Sequence, residues 1–497
     1  MGVGLAYLAT AIVFIARLPL ISRREFDPDE FEHAHAAWCV SKGMRLYKDF
    51  FEHHTPLYDY VLRPIFAGFD VDSSFESARH FLLFARGLSF VLAVISVVLL
   101  SAIGRLFGDR RLGPLAGLLL VTQPIFLQKT IEIRPDVLAL PLFLGGLWLV
   151  LRAMANASNR AKRSLWLFVA GGICVGAAIM STQKVLFVLP GMLAGLAIWS
   201  VFDKTASASP SPGRTFRIVL AVAFVVGVAL PAVLTWALFA LQNAGHEFVT
   251  NNFLLNVRWK PVATNQLLKL VTTSWPILVP AIIGIFHSIF LTVRRVFRDD
   301  RCDCRELVLS CTTIGLFAGL AVMPSAHRQY YLLPLPLLCL FAAQTWFMLS
   351  DRLAIRVRSK VIVVVTIALG VLPSIAMAEA FTEKNEAQLA RLRSVYEMTK
   401  PTDLVMDGWE GTGVFRPHAF YYFFLHNETV AMLPPARLAA YLDDLESGRV
   451  RPRLIALDEH LAALGPRFLT FVQGNYVSRD GFFYISKQQD TKLERHP

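Results

Sequence analysis

Charge is what this chain has least of. Asp, Glu, Lys and Arg make up 17% of its 497 residues, against about 25% in an ordinary soluble domain, while 55% are hydrophobic. That balance excludes a disordered chain and a well-solvated globule. Acidic residues are the scarcer kind, 37 against 49 basic, for a net charge of +12. Cysteine is sparse and badly placed for crosslinking: of the six, only Cys39 falls in a segment assigned below to the outer face, so no disulfide framework is expected. Cys302 and Cys304 form a C-x-C without the second pair a structural zinc site uses. No internal repeat is visible, which excludes solenoids and most duplicated transporters.

What the chain has instead is apolar length. About eleven runs, most near 18 residues and some shorter, are candidates to cross a hydrocarbon core of ~30 Å. They are Val3 to Leu20, Phe81 to Ile103, Leu112 to Leu127, Val137 to Leu151, Leu165 to Met180, Val185 to Val201, Ile218 to Leu241, Ser274 to Val293, Leu307 to Met323, Leu332 to Leu349 and Val361 to Glu379. The first has no basic n-region, contains Arg17 and lacks a clear small-x-small cleavage site, so it is expected to stay as an anchor.

The basic residues fall in alternate loops, which sets them apart from a nucleic-acid-binding surface. Arg105, Arg110 and Arg111 follow span two, and Arg152, Arg160, Lys162 and Arg163 follow span four. Lys204, Arg214 and Arg217 precede span seven, Arg294 to Arg305 separate eight from nine, and Arg352 to Lys360 separate ten from eleven. The positive-inside rule makes these loops cytoplasmic, puts the N-terminus inside, and leaves the loop 21–80 and the tail after residue 380 outside. The expected organisation is a transmembrane domain over 1–380, with its first outer loop at 21–80, and an extracytoplasmic α/β domain over 381–497.

Thr205 to Gly213 is a small-residue cytoplasmic linker. In the tail, short apolar runs at Leu404 to Met406, Leu454 to Leu457 and Phe482 to Ile485 alternate with helical stretches, as in a small α/β domain. Gly408-Trp409-Glu410-Gly411-Thr412-Gly413 follows the first strand, but its glycine order is wrong for a dinucleotide fingerprint and it reads as a turn.

The first outer loop concentrates the acids. In Asp27-Pro28-Asp29-Glu30-Phe31-Glu32-His33, Asp27 suits an N-cap, Pro28 the first helical position and Glu30 the third position of a capping box, and Gly43 closes the helix. Capping alone explains Asp27 and Glu30. Asp29 is left over, one turn before His33. A second helix start follows, with Thr55 as cap and Pro56 at the first position, just after Glu52-His53-His54.

Outer loops should be poor in cations, yet several carry them at helix ends: Lys129 to Asp136 with Arg134, Ser181 to Lys184, and Ser325 to Tyr331 with His327, Arg328 and Tyr330. Arg258 and Lys260 lie before span eight. These last two read better as snorkelling residues beside phospholipid headgroups. Arg134, Lys184 and Arg328 sit in loops too short to be linkers and suit an anionic headgroup whose tail stays in lipid, such as a lipid-linked phosphate.

Together these segments resemble the membrane-embedded GT-C glycosyltransferases, in particular the group of protein O-mannosyltransferases and aminoarabinose transferases of lipid A, over spans one to eleven. The resemblance rests on Asp29-Glu30 followed by Gly43 and Thr55-Pro56-Leu57-Tyr58, on Arg134-Pro135-Asp136, and on His327-Arg328-Gln329-Tyr330-Tyr331-Leu332-Leu333-Pro334. Thr55 replaces the usual first proline, and His53-His54 stand where lysine or glutamate is common. The fold it implies is a polytopic α-helical membrane protein of about eleven helices, with amphipathic surface helices in the first outer loop and the small soluble tail domain.

The activity it implies is inverting transfer of one sugar from a polyprenyl-phosphate donor to a hydroxyl of a lipid, glycan or protein acceptor, on the non-cytoplasmic face of what is expected to be a bacterial inner membrane. Asp29 is then the candidate base, with Glu30 and Asp136 as further catalytic acids. Arg134, Lys184, His327, Arg328, Tyr330 and His54 are the candidates to hold the donor phosphate. No cofactor is required, although Asp27, Asp29 and His33 could ligate a divalent cation. The rival reading is a transporter or flippase of lipid-linked sugars, which would favour repeats and charges at the membrane midplane.

Overall fold

The computed structural model describes residues 3–156, 160–203, 213–257, 266–298, 303–323, 327–351, 381–382 and 384–487. The expected eleventh span at 361–379, Arg258, Lys260, Cys302 and residues 204–212 lie outside them. The described chain falls into two compact units: one of residues 1–22, 87–238 and 261–382, the other of residues 23–86, 239–260 and 383–497.

The first unit is built from helices long enough to cross a membrane. Among the described residues the chain has eight of these: Val3–Arg23, Phe75–Arg105, Pro135–Asn156, Ala161–Ser181, Gln183–Phe202, Arg214–Leu241, Ser274–Phe297 and Arg305–Val322. Leu112–Val121 and Leu335–Ser350 are shorter apolar helices. Large apolar side chains left exposed follow helical spacing, as at Leu5, Leu8, Ile12 and Ile15 on the first helix, forming a stripe whose natural solvent is lipid. The chain is an integral membrane protein.

The third expected span differs from the sequence expectation. Helix Leu112–Val121 stops at Thr122, Gln123 is extended, and a new helix Pro124–Lys129 begins on Pro124. Proline disfavours a helical residue before it and supplies no N–H, so the apolar run breaks there. Elsewhere the helices meet through small residues, since lipid gives apolar side chains no reason to cluster. A Cβ on Gly172 would lie 2.2 Å from the Phe224 carbonyl oxygen, so helices Ala161–Ser181 and Arg214–Leu241 touch backbone to backbone there.

The second unit joins the loop after the first helix to residues 239–260 and the tail. Its sheet runs β1 (Val405–Asp407), β2 (Leu454–Ala456), β3 (Tyr476–Ser478) and β4 (Phe483–Ser486), in the order β1-β2-β4-β3. The β1 and β2 strands are parallel, and β4 is antiparallel to both its neighbours. Helix Pro435–Glu446 and helix Pro466–Asn475 cover the sheet, burying Leu442, Leu445, Phe468 and Val472 with Ile455. Three of these strands match the apolar runs of the sequence; the three-residue β3 does not stand out there.

Several bonds stitch loop to tail. The Asn385 N–H donates to the Arg23 carbonyl at 3.0 Å, the Gln388 amide both accepts from and donates to the Phe26 backbone, and the Arg416 guanidinium donates to the Asp72 carbonyl at 2.8 Å. Gly411, at φ +73°, brings the turn after β1 against Phe31, where a Cβ would lie only 2.3 Å from the Phe31 Cβ.

Candidate functional site

The acid-rich start of helix Pro28–Ser41 forms as its residues dictate. The Asp27 carboxylate accepts from the Asp29 N–H at 3.2 Å, and the Glu30 carboxylate accepts from the Asp27 N–H at 3.0 Å, completing the capping box. Gly43, at φ +86°, follows the last turn. The second helix begins one residue later than expected, at Leu57, with Pro56 rather than Thr55 at the cap; proline's fixed φ already suits that position, and no side chain bonds into the first turn.

Glu30 does more than cap. Fully buried, it takes both oxygens to the Arg86 guanidinium, at 2.6 and 2.8 Å, while Arg86 also donates to the carbonyls of Arg24 and Glu25 and stacks 3.7 Å from the centre of the Phe26 ring. This pair clamps the entry to the helix. Asp29, the next residue back, is partly exposed.

One turn on, the buried side of the helix meets the following segment. The Glu52 carboxylate, 1% exposed, accepts from the N–H groups of His53 and His54 at 2.9 Å each and pairs with His54 Nδ1 at 2.8 Å, all through Oε1. Its Oε2 is buried with no hydrogen-bond partner. His53 Nδ1 lies 3.6 Å from Glu32, its ring 3.9 Å from that of His54 and 5.8 Å from that of His426, while His33 stacks edge-on against His54 at 4.7 Å. Burial pushes the Glu52 carboxyl above its ordinary range, offset in part by His53 and the backbone donors. Asp59 is pushed up further, by burial and then by Glu52.

Glu32, Glu52, His53 and His54 bring ligand atoms within 4.8 Å of one another, as do His35, Cys39 and His418; among the described residues the expected trio Asp27, Asp29 and His33 forms no such group. Glu32 and Glu52 were missed from sequence. The run Glu52-His53-His54 was a visible signal for the second, whereas His426 is far along the chain.

The expected phosphate-binding cations collect in the first unit, except His54, which belongs to the cluster just described. The Lys129 ammonium sits 3.0 Å from both oxygens of Glu132, which also pairs with Arg134; Glu132 is fully buried. Lys184 sits 3.1 and 3.2 Å from the two oxygens of Asp136 and 3.8 Å from the centre of the Tyr330 ring, and His327 packs edge-on against Tyr330 at 5.5 Å. Arg328 opens the short helical turn Arg328–Leu332 beside them in sequence. The cations are thus held on two buried carboxylates from one loop, and Arg17 ties that loop down by donating to the Leu127 carbonyl at 2.6 Å and the Thr130 hydroxyl at 2.9 Å. Lys129 and Glu132 are not among the residues expected from the sequence to form the site. The structure gives Asp136 a cation partner that the sequence did not disclose.

Comparison with known proteins now bears on both halves. Residues 53–236 match the family profile of dolichyl-phosphate-mannose-protein mannosyltransferases. The whole chain superposes on the apo crystal structure of ArnT from Cupriavidus metallidurans, with a TM-score of 0.66, 15% identity and 97% of each chain covered. The chain has the fold of ArnT. The same ArnT bound to undecaprenyl phosphate superposes with a TM-score of 0.60 at 15% identity, covering 98% of each chain. The oligosaccharyltransferase AglB from Archaeoglobus fulgidus, in complex with an inhibitory peptide and a dolichol-phosphate, gives 0.57 at 13% identity, covering 98% of this chain and 74% of that one. No curated protein matches in sequence.

Proposed function

We propose that this GT-C protein transfers one sugar from a polyprenyl-phosphate donor to a hydroxyl of a lipid, glycan or protein acceptor, with inversion at the anomeric carbon. The observation that carries this is the set of buried cations, Lys129, Arg134 and Lys184, fixed at helix ends by Glu132 and Asp136 in a membrane unit. Ionisable groups in a membrane unit are costly, pair with one another as these do, and mark functional sites.

Asp29 accepts the proton of the acceptor hydroxyl as its oxygen bonds to the anomeric carbon, and the bond from that carbon to the phosphate oxygen breaks. The departing lipid phosphate gains one negative charge, which Lys184, Arg134, Arg328 and the groups at His327 and Tyr330 stabilise without reorganising. Asp136 positions Lys184, and Glu30 positions the helix that bears Asp29. A divalent cation, where one takes part, would be held by Glu32, Glu52, His53 and His54, whose orphaned Glu52 oxygen fits one, and would supply positive charge beside the first loop. The alternation of basic loops supports a reaction on the non-cytoplasmic face; a bacterial inner membrane is the setting proposed for it.

The test is release of polyprenyl phosphate from radiolabelled polyprenyl-phosphate sugars incubated with membrane extract and the purified chain, with and without EDTA. Label appearing in the acceptor fraction supports transfer. Movement of intact donor between leaflets of a vesicle without release would instead identify a carrier of lipid-linked sugar.

A further inference from the structure

We propose that His35, Cys39 and His418 form a zinc site that fastens the helix carrying Asp29 to the turn beside the tail sheet. His35 and Cys39 are four residues apart and share one face of helix Pro28–Ser41. His418 is set next to β1 by its bridge to Val405. All three belong to the same compact unit.

The donor atoms already stand near tetrahedral spacing. His35 Nε2 is 2.8 Å from His418 Nδ1, and the Cys39 sulfur is 3.4 Å from the first and 3.8 Å from the second. Zinc bonded to nitrogen at ~2.0 Å and to sulfur at ~2.3 Å puts neighbouring donors roughly 3.3–3.6 Å apart. The sulfur therefore needs no more than a few tenths of an ångström of adjustment, and the two imidazoles open by about half an ångström when an ion replaces the proton between them.

The tautomer is also set. His35 Nδ1 lies 2.8 Å from the Val414 carbonyl, which can only accept, so Nδ1 carries the hydrogen and the Nε2 lone pair faces Cys39 and His418. An imidazole whose far N–H is held by a backbone carbonyl is the arrangement that orients a zinc-bound histidine. On binding, the Cys39 thiol releases its proton to solvent and the sulfur bonds the metal as thiolate; the proton on His418 Nδ1 moves to its other nitrogen.

The surroundings suit an ion with three protein ligands. Trp38, Phe50 and Phe423 pack their rings 4.5 to 5.8 Å from the two imidazoles and keep bulk water away. A cavity of 30 Å³ lined by both histidines and Asp407 adjoins the cluster, room for one water as fourth ligand. A sulfur and two imidazoles favour zinc over magnesium or manganese, which separates this site from the carboxylate-rich group around Glu52. The consequence for Asp29, six residues before His35, rests on the transferase reading; the metal site itself does not.

The experiment is cobalt titration of the full-length chain in detergent after chelator treatment. Expected is one equivalent of Co²⁺ giving a thiolate charge-transfer band in the near ultraviolet with tetrahedral visible bands, both erased by Zn²⁺; cobalt held by the carboxylate-rich group around Glu52 adds no thiolate band. Cys39→Ser should remove the charge-transfer band, His418→Asn should weaken binding roughly tenfold or more, and Glu52→Gln should leave the charge-transfer band unchanged. Absence of the band in the wild type, which needs no variant to fold, overturns the proposal and leaves a plain hydrogen-bonded network. A band that persists in Cys39→Ser, or is lost only in Glu52→Gln, overturns it equally.

Discussion

Lys184 holds both oxygens of the Asp136 carboxylate, and both side chains are almost wholly buried. Removing one member of such a pair strands the other charge. Asp136→Asn should therefore lower stability by about 3–5 kcal/mol, whereas Asp136→Asn with Lys184→Met should recover much of it. Lys184→Met alone should also slow transfer roughly a hundredfold, the usual cost of losing one donor to a developing anion. Thermal unfolding in detergent and turnover check the two effects; a stable Asp136→Asn protein would mean the pair is solvated.

Glu30 and Arg86 allow a cleaner separation of roles. Glu30→Gln keeps an oxygen for the Asp27 N–H and so preserves the cap, but removes the charge that Arg86 grips. The expected loss is that of the buried pair, again about 3–5 kcal/mol, well above the ~1 kcal/mol of a lost cap. Arg86→Lys should not rescue it, because an ammonium cannot serve the carboxylate in parallel with the two carbonyls of Arg24 and Glu25. An unfolding free energy left unchanged by Glu30→Gln would assign Glu30 to the cap alone, since glutamine keeps that bond.

Gly411 sets the packing of the turn after β1 on Phe31. Gly411→Ala meets both a left-handed φ and a clash with the Phe31 side chain, so destabilisation of about 1–3 kcal/mol is expected. Phe31→Ala would remove the ring but keep the Phe31 Cβ, the nearest atom, so it should not rescue Gly411→Ala. An unfolding temperature of Gly411→Ala equal to that of the wild type would show that neither the clash nor the strain is felt.

Asp407 gives the tail a pH dependence of definite sign. Burial, and then nearby Asp458, raise its pKa from 3.8 to about 6, against the bonds it accepts from Gly411, Thr412 and Gly413. The folded form holds the proton more tightly than the unfolded chain, so this group's stabilisation is complete below about pH 4 and is lost as pH rises to about 6. Asp407→Asn should flatten that part of the stability profile, measured by thermal unfolding between pH 4 and 6.5. An unchanged slope would place the titration elsewhere.

Local chemistry was legible in the sequence, and distant pairing was not. The cap at Asp27, the box at Glu30, the stop at Gly43 and three of the four strands follow from short-range rules that the chain obeys. The apolar run at Leu112 to Leu127 misled because hydropathy outweighed Pro124. Glu30 and Arg86 are 56 residues apart, and His35 and His418 are 383 apart, so no spacing rule could join them. The cations at Arg134 and Lys184 were visible as exceptions to the topology rule, but their buried carboxylate partners required coordinates. Glu52 carried a local signal in the run Glu52-His53-His54, but its burial and the approach of Glu32 and His426 did not show in the sequence.

The most direct measurement is single-turnover transfer by Asp29→Asn against wild type, with binding of the polyprenyl-phosphate donor followed in the same preparations. Loss of a general base should reduce the transfer rate by roughly 10²–10⁴-fold while donor affinity stays within a few-fold of wild type. Transfer by Asp29→Asn at the wild-type rate would contradict the assignment of Asp29 as the base.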